Sequence, residues 1–77
     1  MIKTGGENVA SADVEITLFE HPDIFEVAVI GLPDDLWGEA VTAFVTLNPG
    51  AKADENEIIS WAKQNMAPYK VPKKVVF

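Results

Sequence analysis

Two adjacent glycines near the start of the sequence lie where the main chain and a ligand could come close together. Gly5 and Gly6 occur in the stretch KTGGENV, just before a segment with helical features. Glycine has no Cβ, so a pair serves either a turn or the close approach of a ligand such as a phosphate. An ordinary turn between a strand and a helix explains the spacing equally well. A P-loop is excluded, because no Gly-Lys-Ser/Thr follows.

Lysines near the C-terminal end form a second group that could contact a ligand. Lys70, Lys73 and Lys74 are three of the six basic residues in the sequence. Such a cluster is either a solvated surface or a binding site for an anion.

A third candidate is Trp37, in the polar loop LPDDLWGE, where a tryptophan either packs on the core or meets a partner surface. With Gly38 and Glu39, it is the candidate contact with such a partner surface, for example another domain.

Composition limits the classes of function. The 77 residues predict one small domain, and its net charge of −6 argues against a nucleic-acid partner. There is no cysteine, and the single His21 cannot build a metal site by itself. No apolar run is long enough to cross a membrane, and no signal peptide is recognisable, so we expect a cytoplasmic protein. The 48% apolar content further suggests that one face of the domain is covered by something else.

Hydrophobic patterning predicts six elements in the order β-α-β-β-α-β. The first strand spans residues 2–4, and the first helix has Ser11 as its N-cap and ends at His21-Pro22. The stretch FEVAVIG (25–31) is almost wholly apolar, which predicts a central strand buried on both faces. The stretch AVTAFVTL (40–47) alternates and predicts a strand with one core face.

The second helix is predicted after Asp54, which forms a capping-box pattern with Glu57. Its apolar stripe consists of Ile58, Trp61, Ala62 and Met66. A final strand at 73–77 completes the fold. The predicted class is therefore α+β, with two helices packed on a small, largely antiparallel sheet of about three main strands.

Three stretches carry a resemblance to a known family: IKTGGENV, EVAVIGLPDDLWGEAV and MAPYKVPKKVVF. Together they resemble the C-terminal domain of AMP-forming acyl-CoA synthetases in the adenylate-forming superfamily, over essentially all of residues 1–77. The stretch MIKTGGENVAS is most similar to medium- or long-chain fatty-acyl-CoA ligases. The resemblance implies that this domain is a mobile lid beside a large N-terminal adenylation domain, which binds ATP, Mg²⁺ and the acid. The parent enzyme would form an acyl-adenylate and pyrophosphate, and then acyl-CoA and AMP.

The resemblance also implies roles for the candidate residues. In the thioester-forming pose of the family, the double-glycine loop lies beside the channel for the pantetheine of coenzyme A. Gly6 matches the glycine where bulk would obstruct the thiol. The residues that would line this approach are Gly5, Gly6, Glu7, Asn8 and Val9. The basic residues placed like those that meet the nucleotide phosphates of coenzyme A in some relatives are Lys70, Lys73 and Lys74.

Two functional segments of the family fall outside this sequence. The hinge residue would precede Met1, and the catalytic lysine of a Gly-Lys motif would follow Phe77. We therefore expect a truncated lid that binds no cofactor and is inactive by itself. The alternative is a free-standing regulatory module that binds a small molecule, because such modules share the element order and usually dimerise. A generic protein–protein adaptor would leave the glycine pair unexplained.

Overall fold

Five strands form one sheet in the computed structural model, which describes all residues from Met1 to Phe77. The strands are β1 (Ile2–Thr4), β2 (Glu7–Val9), β3 (Ile24–Asp34), β4 (Gly38–Leu47) and β5 (Lys74–Val76). The helices are α1 (Ser11–Phe19) and α2 (Glu55–Asn65), with a 3₁₀ turn at Pro68–Lys70. Neither helix has the length and hydropathy that a membrane crossing requires.

Strand β4 is the centre of the sheet. One of its edges pairs antiparallel with β3, from Gly38 opposite Asp34 to Leu47 opposite Ile24. Its other edge pairs with β1 at Gly38 and then, in parallel, with β5 at residues 42–44. The sheet is thus largely antiparallel, and the predicted α+β class is confirmed.

The chain contains one strand more than the sequence predicted. Residues 7–9 form β2, which pairs antiparallel with β1 so that Ile2 lies opposite Val9. The glycine pair therefore closes a β-hairpin, and the expectation of a strand-to-helix turn is wrong. The stretch ENV at residues 7–9 has a single apolar residue and therefore lacks the alternation that indicates a strand, which is why the pattern did not reveal β2.

Both helices pack on the same face of the sheet. Val14 and Leu18 of α1 are fully buried, as are Ile58 and Ala62 of α2. They join Val41, Ala43 and Val45 of β4 in one core cluster. The apolar stripe predicted for the second helix is therefore confirmed, with Trp61 and Met66 packed against the cluster while remaining partly exposed.

Strand β3 lies at the edge of the sheet and not at its centre. The prediction that both of its faces are buried is also wrong. Val29 is buried, whereas the adjacent Ala28 and Ile30 are exposed. With both helices on one side, the alternation of the strand directs every second apolar residue to the open face. Phe44 of β4 is exposed on this face as well, directly opposite Ala28.

The helix caps agree with the sequence at one helix only. The Asp54 carboxylate accepts a hydrogen bond from the Glu57 N–H at 2.8 Å and caps α2 as predicted. In α1 the N-cap position is Ala10, without a side-chain cap, and Ser11 is the first helical residue. The assignment of Ser11 as N-cap is therefore wrong.

Candidate functional site

The glycine hairpin is defined by its backbone conformation. Gly5 has φ +56° and Gly6 has φ +84°, and the flanking residues Thr4 and Glu7 are paired. Positive φ at both central residues is what a two-residue type I′ turn requires. The turn therefore accounts for the two glycines before any ligand is considered.

The two glycines nevertheless have different surroundings. A Cβ at Gly5 would lie 2.8 Å from Cε3 of Trp37, whereas a Cβ at Gly6 would meet no atom within 4 Å. The Gly5 N–H also donates to the Trp37 carbonyl oxygen at 2.9 Å. Gly5 is thus packed against the protein, and the main chain at Gly6 is open to an approaching molecule.

Trp37 connects the hairpin to Lys73. The loop before it is held by Asp34, whose Oδ1 accepts hydrogen bonds from the N–H groups of Leu36 and Trp37 at 2.9 Å each. The Lys73 ammonium lies 4.6 Å from the centre of the Trp37 ring, within the range of a cation–π contact. Trp37 itself keeps 39% of its surface exposed.

The three candidate lysines do not form one cluster. The Lys73 N–H donates to the Val41 carbonyl at 2.8 Å, which anchors its backbone to β4. Lys70 lies in the 3₁₀ turn, with Nζ 3.9 Å from Oδ2 of Asp13. Lys74 is exposed in β5, where it pairs with Thr42. Only Lys73 is brought into contact with Trp37.

The remaining candidate residues divide between the surface and the scaffold. Glu7 and Asn8 of β2 are exposed, whereas Val9 is buried in the core, so that only its backbone could line an approach. Gly38 has φ +82° and pairs with Thr4, at the junction of β1 and β4. Glu39 accepts a hydrogen bond from the Lys3 N–H at 2.8 Å across the same junction.

His21 has structural contacts. Its Nδ1 accepts a hydrogen bond from the Asp23 N–H at 3.0 Å, and its ring lies edge-on to Trp61 with 5.1 Å between the ring centres. No group of three or more histidine, cysteine or acidic side chains is arranged to hold a metal ion.

The site as a whole offers the open backbone of Gly6, the aromatic face of Trp37 and the ammonium group of Lys73. This combination suits the binding of an anionic organic molecule.

Sequence reasoning had identified Gly5, Trp37 and Lys73 separately but not their contacts. Gly5 and Trp37 are 32 positions apart, and Lys73 follows 36 positions later. No local pattern connects residues across such separations. Their proximity depends on β4, which pairs with β1 at one point and with β5 a few residues further on.

Comparison with known proteins identifies relatives along the full chain. The family model described as the AMP-binding enzyme C-terminal domain matches residues 13–77. A mitochondrial malonate–CoA ligase of Homo sapiens is 49% identical over 76 residues, covering 99% of this chain and 13% of that protein. A crotonobetaine/carnitine–CoA ligase of Proteus mirabilis is 48% identical over 77 residues, covering 100% of this chain and 15% of that protein.

A solved structure agrees in fold. The fatty acyl CoA synthetase of Mycobacterium tuberculosis superposes with a TM-score of 0.92 at 44% identity, covering 100% of this chain and 15% of that one. The chain therefore spans only about one seventh of the length of the proteins that it matches.

Proposed function

This chain belongs to the family of AMP-binding enzyme C-terminal domains, and from this we propose that it is the mobile lid of an ATP-dependent acyl-CoA synthetase. The lid would work against a large N-terminal adenylation domain of the same polypeptide. Support comes from the length of the relatives, since this chain spans 13% of the human malonate–CoA ligase and 15% of the Proteus enzyme. ATP, Mg²⁺ and the acid would bind to the adenylation domain.

The observation that carries the proposal is the open hairpin tip at Gly6. In the thioester-forming half-reaction, coenzyme A would supply the thiol that forms a C–S bond with the acyl carbon of the acyl-adenylate, while the bond to AMP breaks and the thiol proton is lost. The absence of a side chain at Gly6 would leave a passage for the pantetheine arm. Gly5, fixed against Trp37, would keep that passage in place, and the exposed Glu7 and Asn8 with the Val9 backbone would line its continuation along β2.

The lysines would hold the nucleotide end of coenzyme A. A lysine ammonium binds phosphate as a point charge, and Lys73 is close to the hairpin through its contact with Trp37. Lys74 is exposed on the adjacent residue. Lys70 would contribute less, because Asp13 already lies 3.9 Å from its ammonium group. The half-exposed Trp37, followed by Gly38 and Glu39, would face the adenylation domain.

A medium- or long-chain fatty acid is the proposed substrate of the parent enzyme. The fatty acyl CoA synthetase of M. tuberculosis, at 44% identity, supports this choice. Relatives named for malonate and for crotonobetaine or carnitine are slightly more similar in this domain, at 49% and 48% identity. The identity of the acid would therefore be set by the adenylation domain. We propose the cytoplasm as the location, although one relative is mitochondrial.

The test is to replace single lysines in the full-length parent. Lys73→Ala should raise the KM for coenzyme A by about tenfold, the effect of losing one charge-assisted hydrogen bond. The KM for ATP and for the acid should not change. With pantetheine, which lacks the nucleotide phosphates, the variant should match the wild type.

Lys52→Ala is the matched control, because Lys52 is an exposed lysine in the loop before α2 and is not one of the proposed coenzyme A contacts. An equal rise in KM for coenzyme A and for pantetheine in Lys73→Ala, or the same rise in Lys52→Ala, would contradict the assigned role of Lys73.

A further inference from the structure

Three large apolar side chains are exposed together on the side of the domain formed by α1 and the start of β3. Ile16 is 66% exposed, Phe19 is 60% exposed and Phe25 is 55% exposed. With Val27 they line an open groove of about 310 Å³. A grouped exposure of this kind costs solubility and typically marks an interaction surface, whereas single exposed apolar residues carry no such meaning.

The rim of this groove is acidic. Glu15 and Glu26 line it, and Glu20 is exposed in the residue directly after Phe19. None of the three forms an ion pair, since the one salt bridge of the structure joins Lys70 to Asp13. Glu15 is held in position because its Oε2 accepts a hydrogen bond from the Val29 N–H at 2.8 Å. The groove thus combines exposed apolar side chains with glutamates that no basic side chain pairs, one of which, Glu15, is held in place.

The groove is remote from the hairpin. Phe25 and Asp34 lie at opposite ends of β3, nine residues apart, which corresponds to about 30 Å of extended strand. Asp34 is the residue that holds the Trp37 loop. A molecule in the groove would therefore leave the proposed coenzyme A surface free.

We infer that this groove docks an amphipathic helix of a polypeptide partner, with aliphatic side chains flanked by lysine or arginine. The apolar face of such a helix fills a shallow hydrophobic groove through residues spaced three and four apart. Its basic flanks would pair with Glu15 and Glu26, which line the groove, and with Glu20 beyond the end of α1. The same glutamates disfavour the other occupants: a second copy would oppose like charges, and an anionic lipid surface would be repelled.

A titration of the 77-residue chain with a synthetic helical peptide of leucine and lysine tests this inference. The largest amide shifts in NMR spectra should fall on residues 15–27, and a leucine–glutamate peptide of the same length should not bind. The double variant Ile16→Gln/Phe19→Gln should weaken binding about tenfold or more, as expected for anchor residues of an interface. Leu36→Gln is the control, because Leu36 is an apolar residue outside the groove that is 80% exposed, more than either Ile16 or Phe19.

A second pair of variants distinguishes binding in the groove from non-specific attraction of the basic peptide to an acidic protein. Glu20→Gln/Glu26→Gln and Asp35→Asn/Glu57→Gln both change the net charge from −6 to −4. Only the first should weaken binding and reduce its salt dependence. Equal weakening by both, equal binding of the leucine–glutamate peptide, or dimerisation through Ile16 and Phe19 in sedimentation would overturn the inference.

Discussion

The carboxylate of Glu55, the first residue of α2, accepts a hydrogen bond from the backbone N–H of Val75 in β5, with 2.8 Å between Oε2 and N. Strand β5 has only three residues, and β4 is its one strand partner. Glu55 therefore supplies an acceptor that the sheet does not provide, and it ties the second helix to the last strand. Glu15 does the same for Val29 at the opposite edge of the sheet.

We expect Glu55→Ala to lower the free energy of unfolding by about 1–2 kcal/mol, because it leaves the partly buried Val75 N–H without its acceptor. Glu57→Ala is the control. Glu57 lies in the same first turn of α2, so the interaction with the helix dipole is similar, but its carboxylate accepts no hydrogen bond. Urea unfolding should place Glu57→Ala within about 0.5 kcal/mol of the wild type; equal losses in both variants would show that the Val75 contact contributes nothing.

Val29→Asp should unfold the domain, whereas Ala28→Asp should leave it folded. Val29 is buried in the core, where an unpaired carboxylate costs several kcal/mol out of a total stability of about 5–15 kcal/mol. Ala28 is exposed on the open face of the same strand. Circular dichroism and thermal melting would measure both, and a cooperative transition in Val29→Asp at the wild-type temperature would refute the described strand orientation.

Gly5→Ala should destabilise the domain more than Gly6→Ala. Both substitutions place a Cβ on a residue with positive φ, at a cost of about 1–2 kcal/mol each. The Cβ at Gly5 also meets the Trp37 ring at 2.8 Å, which adds about 1 kcal/mol or more of overpacking. Chemical denaturation provides the comparison, and the double variant Gly5→Ala/Trp37→Ala should remove the additional loss. Persistence of that loss in the double variant would exclude the contact as its cause.

In the full-length parent, Gly6→Leu should slow acyl-CoA formation by about 100-fold, or 2.7 kcal/mol on the barrier, because the leucine fills the proposed pantetheine passage. ATP–pyrophosphate exchange, which reports adenylation, should stay within about threefold, since that step does not use the passage. Gly50→Leu is the control. Gly50 has φ +83° and no neighbour within 4 Å of a Cβ, so backbone strain and available space match those at Gly6 in a different loop. If Gly6→Leu impaired both half-reactions equally in a folded enzyme, the hairpin would have a purely structural role.

The 77-residue chain alone should release no pyrophosphate from ATP with any fatty acid, because ATP and acid binding are proposed for the adenylation domain. The assay needs protein purified away from host ligases, with Val29→Asp protein prepared in parallel to report contamination. Release that exceeds the amount in this parallel preparation would contradict the proposed division of labour.

Periodicity predicted the two helices and the two long strands β3 and β4, because each contains several repeats of a hydrophobic pattern. The α2 stripe and the Asp54 cap were correct, because each depends on residues three or four apart. The single core face predicted for β4 was also correct, since Val41, Ala43 and Val45 are buried. Thr42 departs from the alternation because it is buried as well, with its hydroxyl donating to the Ala40 carbonyl. Residues close together in the sequence determine a helix stripe, a helix cap and the core face of a strand, so these features can be predicted from a short stretch of sequence.

The errors concern how elements are arranged in space. An apolar run such as Val27–Ile30 is compatible with helices on both faces of the sheet. The run does not reveal that in this domain both helices lie on one face. The turn at Gly5-Gly6 was recognised, yet the type of element that follows it depends on pairing with β1. The contact of Trp37 with Lys73 depends on the order of strands around β4. Strand order is a property of the whole chain, which a window of neighbouring residues does not contain.

The position of β5 also determines when the domain can complete itself during synthesis. Residues 42–44 of β4 pair with residues that are translated about 30 positions later, which at typical ribosomal speeds of about 5–20 residues per second takes about 2–6 s. Throughout this interval one edge of an apolar strand is unpaired and can template association with a neighbouring nascent chain. Once Lys74–Val76 emerge, that edge closes. The pairing of β5 therefore limits the time for which a nascent chain can associate through this edge of β4.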